Sequence, residues 1–541
     1  MSFKTKNLKM TFLGVTPFLE DKTGTLKPQD IVALSALMTF KGKSVNGLYE
    51  EAKEKGQDID KKVKTIIRKS SLRGHASIAT TPAICFTYEA SKFLDSMMTG
   101  MVFSSSLMAS GRRTSTTIDD ITYPTSIDEK KDTRELYKKT SEENINFYNL
   151  ILEKDVEKDD ASKALQYGIY GTGIIAYPIE SIISFKKEYE REKDWMPEEA
   201  GIVINEIEKY LKKMGVDLIY ASRDLAARNT LPFPNIFKDP NKPNLIKELI
   251  LKQDLPKTLT KIIEFNALES ASLEKEAGKI LKLAKEITSD KKQIKKRWRE
   301  ILAVRQDLMR DFNNILNLKI ASSVSWRVWG DKKRHRTVPM TIDSIYYCLN
   351  RTRPIFKKYT KKIEAEKLSE KELSIIDRYF TVPSSLKKDK KLLYGYLKRV
   401  NTSIDTYFTL IEKYKIPPAD AIFVIPRGIR IDLIQSYDLY NLISGYYPLR
   451  TCSTAEIQLR NMTRIEMAEI KQLLTKKGFP NIAKLIVTKC HIPGFCLEEK
   501  NCPIINGLVK NYDESFHEEL KAKLDEDFES KLNNLRGKNV A

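Results

Sequence analysis

The chain repeats itself in register, and that limits it to folds built from two copies of one unit. Tyr123-Pro124-Thr125-Ser126 is followed by a charged helical stretch, the string DASKAL from Asp160, a Gly-rich apolar segment, SIISF from Ser181, and a helix closing at Gly215. The same order returns after Val382-Pro383-Ser384-Ser385: a charged helical stretch, DAIFVI from Asp420, an apolar segment, NLISG from Asn441, and a helix closing at Gly478. Pro124 to Asp160 spans 36 residues and Pro383 to Asp420 spans 37. A spacing kept over that length marks an internal duplication. At 541 residues the chain also exceeds what one hydrophobic core usually serves. The expectation is therefore an α/β (α+β) chain of two tandem domains, each a mixed sheet flanked by helices. The proline cluster LPFPNIFKDPNKP, Leu231 to Pro243, sets the join, because proline continues neither a helix nor an interior strand. The domains are then 1–235 and 236–541. The second carries an insertion near 347–378, where KKYTKKIEAEK from Lys357 reads as a solvated stretch, and a Cys-containing tail over 490–541.

Two segments flank a strand-to-helix transition in each copy. PAICFTYE from Pro82 and ILNLKIASSVS from Ile315 have the β-branched and aromatic content of strands. SWRVWGDKKRHR from Ser325 reads as a helix that turns abruptly basic at Arg334-His335-Arg336 and then reaches Pro339 and Ser344. The upstream counterpart, SKFLDSMMTGMVFSSSLMASGR from Ser91, has Gly100-Met101-Val102 where the second copy has Arg-His-Arg. It retains Ser105, Ser110 and Arg112 further on. Taken alone, a basic helix end is usually a solvated surface and a Ser-rich run a turn or cap. The repeat order gives both segments more weight.

The two segments resemble the signature of the flavin-dependent thymidylate synthase (ThyX) family, R-H-R-x-x-S-x-N-x-x-S-x-R. The second copy matches the Arg-His-Arg half and the second Ser, with Pro339, Thr341 and Tyr346 in place of Ser, Asn and Arg. The first copy matches the two Ser and the last Arg, with Leu107 in place of Asn. Each half keeps what the other lacks. The string from Arg73 to Ser77 resembles the family's Gly-His-x-Ser approach, although Thr80 and Thr81 replace the Glu-His that follows. CSTAEIQLR from Cys452 to Arg460 resembles the family's C-x-x-A-Q-W-E-I-R. Asp420-Ala421-Ile422 lacks the Arg of the family's D-A-R string, as does Asp160-Ala161-Ser162. The family's Asn-x-Arg near flavin adenine is replaced by Leu439 and Asn441.

The resemblance implies a methyl transfer from methylenetetrahydrofolate to dUMP, giving dTMP, through FAD with NADPH as electron source. No cysteine nucleophile is needed, and no side chain is assigned a catalytic role. What such a protein supplies is charge-assisted binding and preorganisation. Arg334, His335 and Arg336 would hold FAD. Ser105, Ser110, Arg112, Ser344 and Arg460 would hold the nucleotide. The family's tetramer implies that a chain already holding two copies works as a homodimer, with a site composed from both. The replaced motif positions leave a second reading, a catalytically silent homologue that binds flavin or nucleotide.

A net charge of +21 invites a third reading, a basic nucleic-acid-binding protein. Lysine is spread through Lys-Glu-mixed helices, and no zinc-finger spacing, aromatic RNA signature or heptad array is present. Such charge attracts anionic ligands without specifying nucleic acid, so no dedicated nucleic-acid partner is expected. No run approaches the ~20 apolar residues of a membrane helix. The polar start and a short apolar stretch at Met10 do not form a leader, and six cysteines are too sparse for a disulfide framework. A cytoplasmic location follows. Cys490, His491, Cys496 and Cys502 offer zinc-type ligands at irregular spacing, and no metal is assigned to them.

Overall fold

The computed structural model describes residues 8–17, 26–73, 75–109, 115–226, 233–242, 246, 255–268, 271–496, 498, 502 and 514–537. Its strands are β1 (Lys9–Thr16), β2 (Ala83–Ser91), β3 (Ser105–Met108), β4 (Tyr170–Pro178), β5 (Thr260–Ala267), β6 (Leu316–Ser325), β7 (Met340–Ile342) and β8 (Arg430–Asp438). They form two four-stranded sheets with one topology, β1-β2-β4-β3 and β5-β6-β8-β7. All three pairings of the first sheet are antiparallel, as is β5 with β6. The mixture is thus one of helix with sheet rather than of strand directions. In β2 the alternation runs to its last residue but one: Ile84, Phe86, Tyr88 and Ala90 are buried, while Ala83, Cys85, Thr87 and Glu89 are half-buried, the period-2 pattern of a strand with one core face.

The repeat is visible element by element. The helices Lys131–Glu153 and Lys390–Glu412 each have 23 residues. Helices Lys92–Met98 and Trp326–Lys332 each have 7, and β4 and β8 each have 9. Both β1 and β5 carry a bulge against their neighbour, between Phe12 and Gly14 and between Ile262 and Glu264.

The described residues pack as two compact units. The larger comprises Met1–Glu248, Ser323–Arg336 and Thr341–Leu433, and the smaller Leu249–Ser322, Thr337–Met340 and Ile434–Ala541. The larger unit therefore holds most of the first copy together with the centre of the second, and within it the copies face each other about a pseudo-two-fold axis. Asn144 and Ser403 are equivalent positions on the two 23-residue helices. They hydrogen-bond to each other, Asn144 Nδ2 donating to Ser403 Oγ at 3.0 Å. Around that point contacts come in reciprocal pairs. Ser126 Oγ donates to Asp420 at 2.7 Å and Ser385 Oγ to Asp160 at 2.6 Å. Gly168 N donates to Phe423 O at 3.3 Å and Gly428 N to Lys163 O at 3.0 Å. Tyr137 and Tyr396 bond the carbonyls of Thr122 and Thr381 at 2.8 and 2.7 Å. The described part of the proline cluster is packed rather than free: Phe237 is buried against Phe93 and Trp326.

The insertion is helical, Ile345–Glu364 followed by Glu370–Asp377. Its lysine-rich stretch is not wholly solvated, because Tyr359 and Ile363 are buried among exposed lysines. In the smaller unit, helix Ile457–Lys476 buries Leu459, Met462, Thr463, Glu466, Ile470 and Leu474. The sequence pattern puts Ile457, Met462, Ile465 and Leu473 on the buried face, but Ile465 is exposed and only Met462 of that set is fully buried.

Candidate functional site

The basic loop of the second copy is built by a strand, a cap and a short helix. β6 ends at Ser325, whose Oγ accepts from Val328 N at 3.2 Å and caps helix Trp326–Lys332. Both tryptophans of that helix, Trp326 and Trp329, are fully buried, so the helix is pinned and its C-terminal end fixes the residues that follow. Lys333 is buried and reaches into the first copy, where its Nζ donates to Asp95 O at 2.9 Å and to Ser96 O. Those carbonyls lie in the last turn of helix Lys92–Met98, where helix carbonyls lack intrahelical partners and the dipole favours a cation. Burial, with Arg334 adding repulsion, lowers the Lys333 pKa well below its ordinary value.

Anchored this way, the loop presents Arg334 half exposed, 3.7 Å from Asp331, His335 half-buried and Arg336 exposed. No ion pair holds Arg336 among the described residues. Burial and Arg334 lower its pKa, against the pull of the buried Tyr177.

The first copy's loop faces this one, and the geometry explains why it lost its arginine. Gly100, equivalent to Arg334, has φ +89, and a Cβ there would sit 2.8 Å from Lys333 O. Only glycine fits such an approach.

Ser105 opens the edge strand β3 and is exposed, paired in register with Ala176. Ser110 and Arg112 lie outside the described residues. Ser344 is buried, and its Oγ donates to Lys238 O at 2.6 Å. Tyr346, standing where the family has Arg, is buried with its hydroxyl on Trp195 O. Arg460 belongs to the smaller unit and donates to Ser453 O at 2.8 Å. In the same unit Cys490 and Cys496 are buried free thiols, and burial pushes the Cys490 pKa up to about 12. No group of three or more His, Cys, Asp or Glu side chains that could hold a metal occurs among the described residues.

Sequence reasoning missed three residues beside the basic loop. Lys92, Arg327 and Arg427 are all buried and line, with Lys333 and Arg334, a small pocket of the larger unit. Arg427 follows the apolar run DAIFVIP, and a lone charge at the end of such a run was the available signal.

Residues 276–474 match the family described as thymidylate synthase complementing protein. Over 128 residues the chain is 26% identical to the flavin-dependent thymidylate synthase of Pyrococcus abyssi (strain GE5 / Orsay), covering 24% of this chain and 51% of that protein. The stretch 276–474 is thus similar to the ThyX family. The chain's match to the family's Pyrococcus furiosus member is 25% over 128 residues, again 24% of this chain and 51% of the relative. The chain thus spans about half the length of the curated relatives it matches. Among solved structures, a UMP/dUMP methylase PolB from Streptomyces cacaoi bound with 5-Br dUMP aligns at 11% identity. That alignment covers 41% of this chain and 97% of the other with a TM-score of 0.31. ThyX from Helicobacter pylori complexed with FAD and dUMP aligns at 12% identity, 41% and 98% coverage and a TM-score of 0.27. No helix among the described residues is long and apolar enough to cross a membrane.

Proposed function

We propose that the chain is a flavin-dependent thymidylate synthase that methylates dUMP to dTMP with methylenetetrahydrofolate and NADPH, acting as a homodimer of duplicated chains. The observation that carries this reading is the basic loop. Lys333 is locked into the first copy, and Arg334 and Arg336 are held outward by it. This donor set fits FAD: two guanidiniums flanking an imidazole suit a pyrophosphate, and Arg336 has no competing carboxylate among the described residues. FAD, when bound, supplies the redox chemistry of the transfer. Arg334 and Arg336 neutralise its phosphates, and His335 lies between them. Ser105, at the exposed edge of β3, orients nucleotide together with Ser110 and Arg112 of the same copy. Ser344 acts indirectly, tying the start of helix Ile345–Glu364 to Lys238. The buried Tyr346, in place of an arginine, favours a second reading in which the loop binds flavin or nucleotide without turnover.

Protein incubated with FAD should show bound-flavin absorbance, and the Arg334→Ala, Arg336→Ala double variant should lose it. A colourless protein that leaves FAD fluorescence unquenched would overturn the synthase reading, and one that also fails to bind dUMP would overturn both. Flavin binding without tritium release from 5-tritiated dUMP would select the second.

A further inference from the structure

The small pocket beside the basic loop lies on the pseudo-two-fold axis. Of its lining residues, Ser96 and Gly330, Thr99 and Lys333, and Tyr167 and Arg427 are equivalent pairs drawn from the two copies. In a symmetric pair of identical subunits each of these positions would meet itself. Here the Arg427 guanidinium instead lies over the Tyr167 ring, 4.6 Å from its centroid.

The charges around the pocket do not balance. Arg327 pairs with Asp331 at 3.0 Å and Arg334 approaches the same carboxylate at 3.7 Å. Lys92 lies 3.9 Å from Asp95. Among the described residues Lys333 is held only by main-chain carbonyls and the Trp329 ring. Arg427 is 2% exposed and has no carboxylate partner among the described residues; its Nε donates to Gln166 O at 3.1 Å. Its Nη2 is buried without a hydrogen-bond partner among the described residues. Leaving a buried guanidinium donor unpaired costs free energy, and a counter-ion removes that cost. Burial first, and then Arg327, bring the Arg427 pKa down to about 10, with Tyr167 opposing; the group stays cationic at neutral pH.

We infer that this pocket binds a phosphate-sized oxyanion, with Arg427 as its principal ligand and Lys92 as a second cation. A guanidinium presents fixed donors that match phosphate oxygens, and the five basic groups of the pocket outnumber its two carboxylates. Arg334 is shared with the loop proposed to hold flavin, whereas Arg427 and Lys92, the two ligands named here, are not. It is a product of duplication, since Arg427 faces a tyrosine only because the two copies have diverged.

The test is titration calorimetry of the full chain with inorganic phosphate in a chloride-free buffer, alongside thermal melting at matched ionic strength. The wild type should bind one phosphate per chain and melt several degrees higher in phosphate than in an equal ionic strength of chloride. Arg427→Gln should lose at least tenfold in phosphate affinity while still quenching FAD fluorescence, which separates this site from the flavin reading. If that variant does not fold, Lys92→Met should show the same loss. Competition by dUMP would identify the bound group as a nucleotide's phosphoryl, and its absence would identify free phosphate. No phosphate-specific heat or stabilisation in the wild type, or undiminished affinity in the folded variants, overturns the inference.

Discussion

Asp160 and Asp420 hold the same place in the two copies, cap the same contact with a serine of the opposite copy, and live in opposite electrostatic conditions. Lys163 lies three residues beyond Asp160 and bonds it at 2.9 Å. Burial works to raise the Asp160 pKa, but Lys163 and Ser385 outweigh it and hold the carboxyl below its usual range. Phe423 stands at the position equivalent to Lys163, so Asp420 has no cation there. Burial pushes its pKa up to about 6, with Ser126 countering only in part. A duplicated interface can therefore keep its hydrogen bonds while its charges drift, because a hydroxyl donor accepts either protonation state of the carboxyl. The basic loops differ likewise: one copy keeps arginine and the other must be glycine for the two to approach.

Asp160→Asn should show the largest effect. It removes the carboxylate that the fully buried Lys163 bonds at 2.9 Å, and loss of one member of a buried pair costs roughly 3–5 kcal/mol. Urea unfolding at pH 7 would show it. Because the Asp160 pKa is depressed in the folded state, its stabilisation is present above the unfolded value and fades as pH falls. The gap between variant and wild type should narrow in acid. A variant as stable as wild type at pH 7 would mean that the pair contributes nothing.

Gly100→Ala should cost roughly 3 kcal/mol, from a left-handed backbone and a collision with a main-chain oxygen, again read from the urea midpoint. An unchanged midpoint would break the explanation of why the first copy lacks its arginine.

Asp420→Asn should do the reverse. A carboxyl whose folded pKa is raised from 3.8 to about 6 stabilises fully below the unfolded value, and that contribution is lost as pH rises through 6. At pH 8 the asparagine variant should be more stable by up to about 3 kcal/mol, and near pH 3 the two should coincide. A pH-independent difference would sink the assignment.

Ser403→Ala should cost about 1 kcal/mol, the usual worth of a buried hydrogen bond, and a double-mutant cycle with Asn144→Ala would show whether the two positions act together.

Much of this architecture was legible because its anchors are chemically distinctive. Pro124 and Pro383 mark the helix approaches, and Asp160 and Asp420 recur because each receives a serine from across the axis. The abrupt basic end after Trp326 and Trp329 was readable for the same reason. The orientation of helix Ile457–Lys476 was not, since its buried face includes Thr463 and Glu466 while Ile465 faces outward, so hydrophobicity misreports the period. The helix through Lys357 was hidden by lysines surrounding only two buried residues, Tyr359 and Ile363. Of the proposed site, the basic loop could be read from its motif. Lys92, Arg327 and Arg427, which line the adjoining pocket and not the flavin-binding loop, could not be read, because a buried cation is recognisable only once its neighbours are known. Ser344 shows the converse: a motif serine can be spent on a main-chain carbonyl.

The bond between Asn144 and Ser403 joins residues 259 positions apart in one chain. Two separate subunits meeting at such an axis would come apart on dilution. Here the tether keeps the halves at an effective concentration set by chain length. Melting of this helix pair should therefore be independent of protein concentration, even if assembly between chains is not.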